Sequence, residues 1–424
     1  MLDVRAIRDD PEAVRSALAR RGPGLAEEVD RLLDLDARWR RLTTEVEELR
    51  AEQNRASRAI GRASPEDRPG LIESVREVSA ALEDRQPRLA EAEESIRDLQ
   101  LRLPNPPHPS VPMGESDDDN EVIREVGHPP SFGFEVRDHV DLGAALGIID
   151  LERAAKVSGA RFAYLLGGAA WLQFALVRYC FDALAARGFV PMVPPVLVRE
   201  EAMYGTGFFP ADEQSIYVTR DDDLYLVGTS EVPLAGFHQG ELLDARALPV
   251  RYMGYSTCFR REAGAHGKDT RGMFRVHQFD KVEMFSYVAP EASWDEHEFL
   301  LACQEEIVGG LGLPYRIVNV CTGELGASAA KKYDLEVWLP GQDRYRELTS
   351  CSNCTDYQAR RLEVRARFAD GNAPVHTLNG TACAIGRTII ALLENGQRED
   401  GSVALPEALH EYLPAEQRVL TAGG

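Results

Sequence analysis

The densest group of side chains that could carry chemistry lies between residues 259 and 283. The sequence FRREAG begins at Phe259 and leads into a loop rich in glycine and basic residues, after which a strand-like segment carries Phe279. Two strands joined by such a loop would direct guanidinium groups at phosphates and place an aromatic ring against a base. Taken alone, the same residues fit a solvated hairpin with surface ion pairs equally well.

A second polar group occupies residues 346–354, with the sequence RELTSCSNC. A carboxylate among hydroxyl groups suits Mg²⁺ and a phosphorylated substrate, because Mg²⁺ prefers few protein oxygens and keeps water ligands. Strict alternation along a strand would place Glu347 and Thr349 on one face and Arg346, Leu348 and Ser350 on the other. We therefore regard this segment as a candidate site for Mg²⁺ and phosphate.

The cysteines argue against a secreted, disulfide-bonded protein. There are 7, an odd number scattered over a long chain, and we expect reduced thiols. Cys351 and Cys354 form a C-x-x-C pair, but the sequence lacks a second such pair or a closely spaced pair of histidines, so half of a tetrahedral zinc site is missing. Packed thiols are the better interpretation, and we expect no structural zinc.

Two shorter segments could bind charged ligands. Small residues precede a helix that begins near Arg387, which suits an anion, although a helix start with a buried ion pair is the better interpretation of that segment alone. The sequence GTSE begins at Gly228 and places the Thr229 hydroxyl two residues before the Glu231 carboxylate, where an ammonium group could bind. An ordinary capping turn explains this second segment equally well.

The elements that must position these residues are short strands and helices. The strand-like runs alternate with period two, so that one face packs inward and the other can line a site. Because the sequence has no regular βαβ pattern and no G-x-G-x-x-G turn, we predict an α+β domain with a mainly antiparallel sheet flanked by helices. The runs lie at 224–227, 274–288 and 315–320, and the helical segments lie near 171–187, 295–311 and 387–395.

The N-terminal quarter of the chain carries two heptad patterns separated by a Gly/Pro break. Helices at about 25–60 and 70–103 would form an antiparallel coiled-coil arm on the order of 50 Å long. Residues 104–113 are rich in proline and predict a linker between an N-terminal domain, 1–103, and a catalytic domain, 114–424. The heptads by themselves also fit a rigid spacer or a protein-docking coil.

The composition excludes several classes of protein. Hydrophobic residues make up 44% of the chain and charged residues 28%, which is ordinary for a globular protein. A net charge of −21 excludes a uniformly basic surface for nucleic acid, although a local patch could still bind phosphates. No stretch approaches the roughly 18 to 20 apolar residues of a membrane span, so we expect a cytoplasmic protein with no membrane partner.

Taken together and in this order, the segments resemble the bacterial-type seryl-tRNA synthetases, a branch of the class II aminoacyl-tRNA synthetases, along nearly the whole chain. The sequence GFVPMVPP at 188–195 resembles the first motif of the class, a strand at the dimer interface. Residues 259–283 resemble the second motif, and Gly386-Arg387 resembles the third. Four further segments resemble sequence motifs of the serine-specific enzymes: TSE at 229–231, KVE at 281–283, CSNC at 351–354 and TLNG at 377–380.

The resemblance implies a role for each matching residue. Serine would be bound by Thr229, Ser230, Glu231, Arg260, Glu283 and Thr381. ATP would be bound by Arg260, Arg261, Glu262, Val276, Phe279, Glu347, Leu348, Thr349, Ser350 and Arg387. Among these, Arg260, Glu347 and Arg387 would be catalytic, and Glu347 with Ser350 would hold the Mg²⁺ that accompanies ATP.

The implied activity is the ATP-dependent attachment of L-serine to tRNA(Ser) through a seryl-adenylate. The enzyme would be a homodimer whose arm binds the long variable arm of the tRNA, while the loop 265–272 meets the acceptor end. Because Gly228, Ser230, Thr381 and Cys383 depart from the usual family pattern, a duplicate synthetase serving inhibitor resistance or a biosynthetic pathway is one alternative. A ligase that loads a carrier protein and an inactive coiled-coil interaction protein are the others.

Overall fold

The computed structural model describes residues 1–263, 269 and 271–423. Most of the loop expected to meet the acceptor end of a tRNA, residues 265–268 and 270, therefore lies outside the described residues. The chain divides into two compact units, Met1–Pro106 and Pro107–Gly424.

The first unit is helical. Its two long helices, α3 and α4, pair residues early in one helix with residues late in the other, as the contact between Arg38 and Glu91 shows. They are therefore antiparallel, as the heptads predict. The helices of this unit are α1 (Val4–Asp9), α2 (Pro11–Ala19), α3 (Leu25–Ile60) and α4 (Arg68–Arg102).

Apolar residues fill the seam between α3 and α4, where Val46, Val78 and Leu82 are buried. Two polar residues that interrupt the heptads make contacts across the same hairpin. The side-chain amide of Gln53 donates to Ser79 Oγ at 2.9 Å, and Arg85 Nε donates to Glu45 Oε2 at 2.8 Å. The interruptions thus have partners in the opposite helix, which favours this register.

The second unit is built on an eight-stranded sheet with the order β1-β10-β11-β12-β15-β9-β8-β4, antiparallel except for the β4–β8 pair. The predicted α+β class and mainly antiparallel sheet are confirmed. The strands are β1 (Glu121–Val126), β2 (Ile149–Asp150), β3 (Tyr164–Leu165), β4 (Val190–Met192), β5 (Leu197–Val198), β6 (Tyr225–Leu226), β7 (Leu242–Asp244), β8 (Val250–Phe259), β9 (Gln278–Val288), β10 (Tyr315–Asn319), β11 (Lys331–Leu339), β12 (Arg344–Asn353), β13 (Arg365–Phe368), β14 (Gly371–Pro374), β15 (His376–Ala384), β16 (Val403–Ala404) and β17 (Val419–Leu420).

Helices flank this sheet, and three of them, α7, α10 and α12, pack their apolar faces onto its central strands. The buried core therefore lies between these helices and one face of the sheet, which leaves other positions of the strands free to line a cavity. The helices of this unit are α5 (His139–Leu146), α6 (Leu151–Ser158), α7 (Gly167–Ala186), α8 (Glu200–Thr206), α9 (Glu231–Gly236), α10 (Ser293–Gly310), α11 (Tyr357–Arg361) and α12 (Ile385–Gly396).

Part of the proline-rich segment is hydrogen-bonded to the second unit. The His108 amide donates to the Ala330 carbonyl at 2.8 Å, and the Asn319 side chain donates to the Ser110 carbonyl at 2.8 Å. Residues 108–112 are therefore held against the sheet of the second unit and are not a free linker. Within the described residues, no helix combines the length and apolar character that crossing a membrane requires.

Two central strands contain a β-bulge. In β12, Leu348 is an extra residue between Glu347 and Thr349, which face consecutive residues of β11. In β15, Ala382 is the extra residue after Thr381, opposite β9. A bulge reverses the alternation of side chains beyond it, so residues of unlike parity can share a face.

Candidate active site

One cavity of about 380 Å³ opens against β9, β12 and β15, beside Arg260, which directly follows β8. Side chains from distant parts of the chain form its wall, including Arg260 and Arg387 together with Glu231 and Glu283. The sequence-predicted residues that line the cavity are Thr229, Glu231, Arg260, Glu262, Val276, Phe279, Glu283, Glu347, Leu348, Thr349, Ser350, Thr381 and Arg387.

Two of the predicted site residues lie outside this wall. Ser230 is fully buried at the start of α9, behind Thr229 and Glu231. Arg261 is exposed, and its backbone amide donates to the Ser215 carbonyl at 2.9 Å.

The strand β9 presents one face to the cavity. Phe279, Lys281 and Glu283 alternate along it and all three line the wall, as the period of two predicts. Arg260, at the end of β8, lies with its guanidinium carbon 5.2 Å from the centre of the Phe279 ring, and its Nε donates to the Gly228 carbonyl at 3.0 Å. Lys281 was not among the predicted site residues, although the same alternation points to it.

Four consecutive residues of β12, 347–350, line the cavity. The strict alternation predicted for this segment is therefore wrong. The bulge at Leu348 is the physical reason, because it brings Glu347 and Ser350 to the same wall despite their unlike parity.

One group of ionisable side chains on the wall is buried, and we call it the carboxylate cluster: Glu231, Glu283 and Lys281. Lys281 Nζ contacts the Glu283 carboxylate and donates to Thr229 Oγ1 at 2.6 Å. Thr381 Oγ1 donates to Glu283 Oε2 at 3.3 Å. When both carboxyl groups are ionised, the cluster contains two carboxylates and one ammonium, and its net negative charge suits a second ammonium.

Two side-chain amides hold Glu231 in place. Gln358 Nε2 and Asn379 Nδ2 donate to Glu231 Oε1 at 2.7 Å and 2.9 Å. Gln358 is itself held, because its Oε1 accepts from Thr377 Oγ1 at 2.8 Å. Burial, with a smaller contribution from the negative charge of Glu283, raises the pKa of Glu231 to about 7.

A second group on the wall consists of arginine–glutamate pairs, and we call it the guanidinium cluster: Arg387 with Glu347, and Arg275 with Glu262. The two pairs have N–O distances of 3.1 Å and 2.8 Å. Burial acts to raise the pKa of Glu347, but the charge of Arg387 and those of further cations outweigh it, so that the pKa lies below its ordinary value.

An aromatic ring supports this cluster from one side. The guanidinium carbons of Arg387 and Arg346 lie 4.6 Å and 3.9 Å from the centre of the Phe274 ring. Arg346 also forms an ion pair with Asp269, at 2.7 Å. Phe274, Arg275 and Arg346 were not among the predicted site residues, although the basic and aromatic character of their segments is the signal that could have found them.

The C-x-x-C cysteines are both buried, and the Asn379 side chain contacts Cys354 Sγ at 3.6 Å. Across residues 1–263, 269 and 271–423, no group of three or more His, Cys, Asp or Glu side chains is placed to hold a metal ion.

Comparisons with known proteins identify both parts of the chain. Residues 1–107 match the seryl-tRNA synthetase N-terminal domain, and residues 216–396 match the core domain of class II tRNA synthetases for Gly, His, Pro, Ser and Thr. A serine–tRNA ligase of Acidothermus cellulolyticus is 50% identical over 415 residues, covering 97% of this chain and 98% of that protein. Serine–tRNA ligase 1 of Streptomyces avermitilis is 50% identical over 418 residues, with 97% of each chain covered.

Comparisons with solved structures identify the same family. The crystal structure of seryl-tRNA synthetase from Pyrococcus horikoshii complexed with ATP has a TM-score of 0.93 and 43% identity, and each chain is covered to 100%. The serine–tRNA ligase from Naegleria fowleri in complex with AMP has a TM-score of 0.89 and 34% identity, with 100% of this chain and 99% of that chain covered. These matches support serine–tRNA ligation rather than the alternatives, and the chain belongs to the seryl-tRNA synthetase family of class II aminoacyl-tRNA synthetases.

Proposed function

We propose that the cavity activates L-serine with ATP and passes the seryl group to tRNA(Ser). The observation that carries the proposal is the convergence of Arg260 and Arg387 with Glu231 and Glu283 on one cavity wall. Guanidinium groups bind phosphate oxygens, and buried carboxylates bind ammonium and hydroxyl groups, so one cavity offers sites for both substrates.

The carboxylate cluster would hold serine. Glu231 would accept from the ammonium group, and Glu283 would accept from the side-chain hydroxyl beside Thr381. The Thr229 oxygen already accepts from Lys281 Nζ at 2.6 Å and from the Glu231 amide at 3.2 Å, so its own proton is free to donate to a substrate oxygen. A substrate without the hydroxyl would leave these buried groups unpaired, which disfavours alanine.

The guanidinium cluster, together with Arg260 and Phe279, would hold ATP. Arg260 would contact the α-phosphate, Arg387 the γ-phosphate, and Phe279 would stack on the adenine. Glu262, Val276, Leu348 and Thr349 would line the nucleotide site, where Thr349 Oγ1 is buried without a hydrogen-bond partner among the described residues. Arg275 extends the set of cations that could neutralise the polyphosphate.

Mg²⁺ would accompany ATP, and the residues present fit it. Glu347 remains ionised next to Arg387, and Ser350 lies on the same wall because of the bulge. One carboxylate and one hydroxyl suit an ion that keeps several waters and binds substrate phosphates. When bound, Mg²⁺ would neutralise charge on the polyphosphate.

The chemistry requires no protein nucleophile. A carboxylate oxygen of serine attacks the α-phosphorus in line, the bond to the β-phosphate oxygen breaks, and pyrophosphate leaves. A 3′-terminal hydroxyl of the tRNA then attacks the seryl carbonyl carbon, and AMP leaves with the bonding electrons. Arg260 and Arg387 act by positioning the reacting groups and stabilising charge.

Other parts of the chain would bring the partners together. The arm formed by α3 and α4 has arginine as its sole cation type, and we assign it to the phosphates of the long variable arm. Exposed apolar side chains on α7 and near β4, including Trp171, Phe174 and Val193, would be covered in a homodimer. We assign the protein to the cytoplasm, where its substrates are.

The direct test is pyrophosphate exchange into ATP across all twenty amino acids. We expect exchange with serine and roughly 10 to 200-fold less with threonine, which carries one extra methyl group. Alanine leaves buried polar groups unpaired and should support still less exchange. Exchange driven best by another amino acid would contradict the proposal. Deleting residues 25–103 should leave serine-dependent exchange intact and abolish tRNA charging, and equal charging with and without the arm would contradict its assigned role.

A further inference from the structure

The first turn of α5 contacts the segment 271–274 that leads into the cavity wall. Arg271 donates to Asp138 Oδ2 at 2.6 Å and to Asp141 Oδ1 at 2.5 Å. These pairs lie at the surface, where each adds little stability. The buried partner of the same segment is His139.

The His139 side chain makes two hydrogen bonds, and its backbone amide makes a third by donating to Glu394 Oε1 at 3.1 Å. Its Nδ1 lies 3.0 Å from Glu394 Oε1, and its Nε2 lies 3.2 Å from the Met273 amide nitrogen. The amide can only donate, so Nε2 must be the acceptor, and Nδ1 then carries the proton that is donated to Glu394. The contacts therefore require the neutral imidazole with its proton on Nδ1.

The backbone of the segment passes directly against this ring. Gly272 has a φ of +86°, and a Cβ at this position would lie 2.2 Å from His139 Nε2. Both the conformation and the close approach therefore call for glycine. The His139 imidazole and the segment 272–274 are in close contact, although more than 130 residues separate them in the sequence.

Glu394 connects the same contact to the helix that carries Arg387. Both residues lie on α12, and Glu394 Oε2 also accepts from the Gly341 amide at 2.9 Å. Phe274, one residue after the His139 contact at Met273, supplies the ring against which the Arg387 guanidinium lies. His139 thus connects segment 272–274 with α12, the two elements that determine the position of the Arg387 guanidinium.

We propose that His139 is a positioning residue for ATP use: it holds segment 272–274 against α12 and so fixes the Phe274 ring and the Arg387 guanidinium. The inference rests on the proposed function of the cavity. His139 touches no substrate in this assignment and acts through Met273 and Glu394.

The test compares His139→Asn with His139→Gln in serine-dependent pyrophosphate exchange. The asparagine keeps a donor near the position of Nδ1 but loses the acceptor for the Met273 amide, so the KM for ATP should rise about tenfold while the KM for serine changes less than twofold. The glutamine reaches the position of Nε2 with its amide oxygen and should restore the KM for ATP to within threefold of the native value. His410→Asn is the matched control, since His410 Nε2 contacts the Leu405 backbone carbonyl, at 3.1 Å, in the C-terminal segment.

A purely structural role would lower the melting temperature and the active fraction, and hence kcat, without changing the KM for ATP. An unchanged KM for ATP in folded His139→Asn would overturn the proposal. Should that variant fail to fold, Phe274→Leu removes the supported ring without touching His139, and it must raise the KM for ATP selectively for the proposal to stand. Exchange by the native protein reports on the proposed function separately, so the two failures are distinguishable.

Discussion

The two clusters on the cavity wall use charge in opposite ways. In the carboxylate cluster Glu231, Glu283 and Lys281 are only 9%, 2% and 6% exposed. In the guanidinium cluster the side chains of Arg387 and Glu347 are 22% and 42% exposed. The carboxylate cluster is thus removed from water, whereas the pair of Arg387 and Glu347 is still in contact with it. Glu262, with a side chain 10% exposed, is the buried member of the guanidinium cluster.

The two degrees of burial suit two kinds of substrate recognition. A buried carboxylate that loses its partner has no water to replace it, so under the proposed function the carboxylate cluster would discriminate between closely related amino acids. A half-buried arginine that is still in contact with water can exchange its glutamate partner for a phosphate at lower cost, so under the proposed function the guanidinium cluster would bind the polyphosphate mainly by charge.

The largest effect should come from removing Arg387. We expect Arg387→Ala to lower kcat/KM for ATP about 10² to 10³-fold in pyrophosphate exchange, because a preorganised charge at the polyphosphate is lost. The surface pair of Arg187 and Glu306 provides the matched control Arg187→Ala, which should leave exchange unchanged. Native-like kinetics in folded Arg387→Ala would remove Arg387 from the site.

Glu231→Gln should act almost as strongly, but on the other substrate. We expect kcat/KM for serine to fall roughly 10 to 100-fold, since a hydrogen bond to a charged group contributes about 1.5 to 3 kcal/mol. The KM for ATP should change little. Equal losses for both substrates would show that the two clusters do not act separately.

The pH dependence of serine use sharpens the same comparison. Because Glu231 has a pKa of about 7 and must be ionised to bind an ammonium group, kcat/KM for serine should rise from pH 6 to pH 8 and level off above. Between these values the ionised fraction of Glu231 increases about tenfold, which sets the size of the rise. Glu231→Gln must abolish this rise, and its persistence would assign the titration to another group.

The smallest effect should follow Thr381→Ser. The hydroxyl that donates to Glu283 is kept, so serine kcat/KM should change less than threefold. The lost methyl group opens space for the methyl group of threonine, and the threonine-to-serine ratio in exchange should rise about fourfold, the equivalent of roughly 0.8 kcal/mol. A ratio that stays constant would show that this methyl group does not limit the pocket.

Much of this arrangement is predictable from the sequence, because periodic patterns depend on local geometry. The heptads predict α3 and α4 nearly to the residue, and the period of two predicts that Phe279 and Glu283 share a face. The resemblance to a known family adds the order of the motifs, and through it the convergence of Arg260 and Arg387.

What the sequence does not predict depends on contacts between distant residues. Gln358 holds Glu231 across a separation of 127 residues, and His139 meets Glu394 across 255. No local pattern marks either pair. The bulge at Leu348 is equally hidden, because the pattern of residues 346–350 is compatible with a regular strand.

At the two bulges, the one extra residue in the strand matters as much as the identity of the residues around it, because it determines which side chains face the cavity. Straightening either strand at its bulge, with no residue removed, would give a ladder with more regular hydrogen bonding, yet it would turn every side chain beyond the former bulge to the other face of the sheet. In β12, Glu347 and Ser350 would then lie on opposite faces of the sheet, and in β15 Thr381 would turn relative to α12, which carries Arg387. A better-formed strand would be an inactive one, which makes these single-residue offsets a fixed part of the enzyme's design.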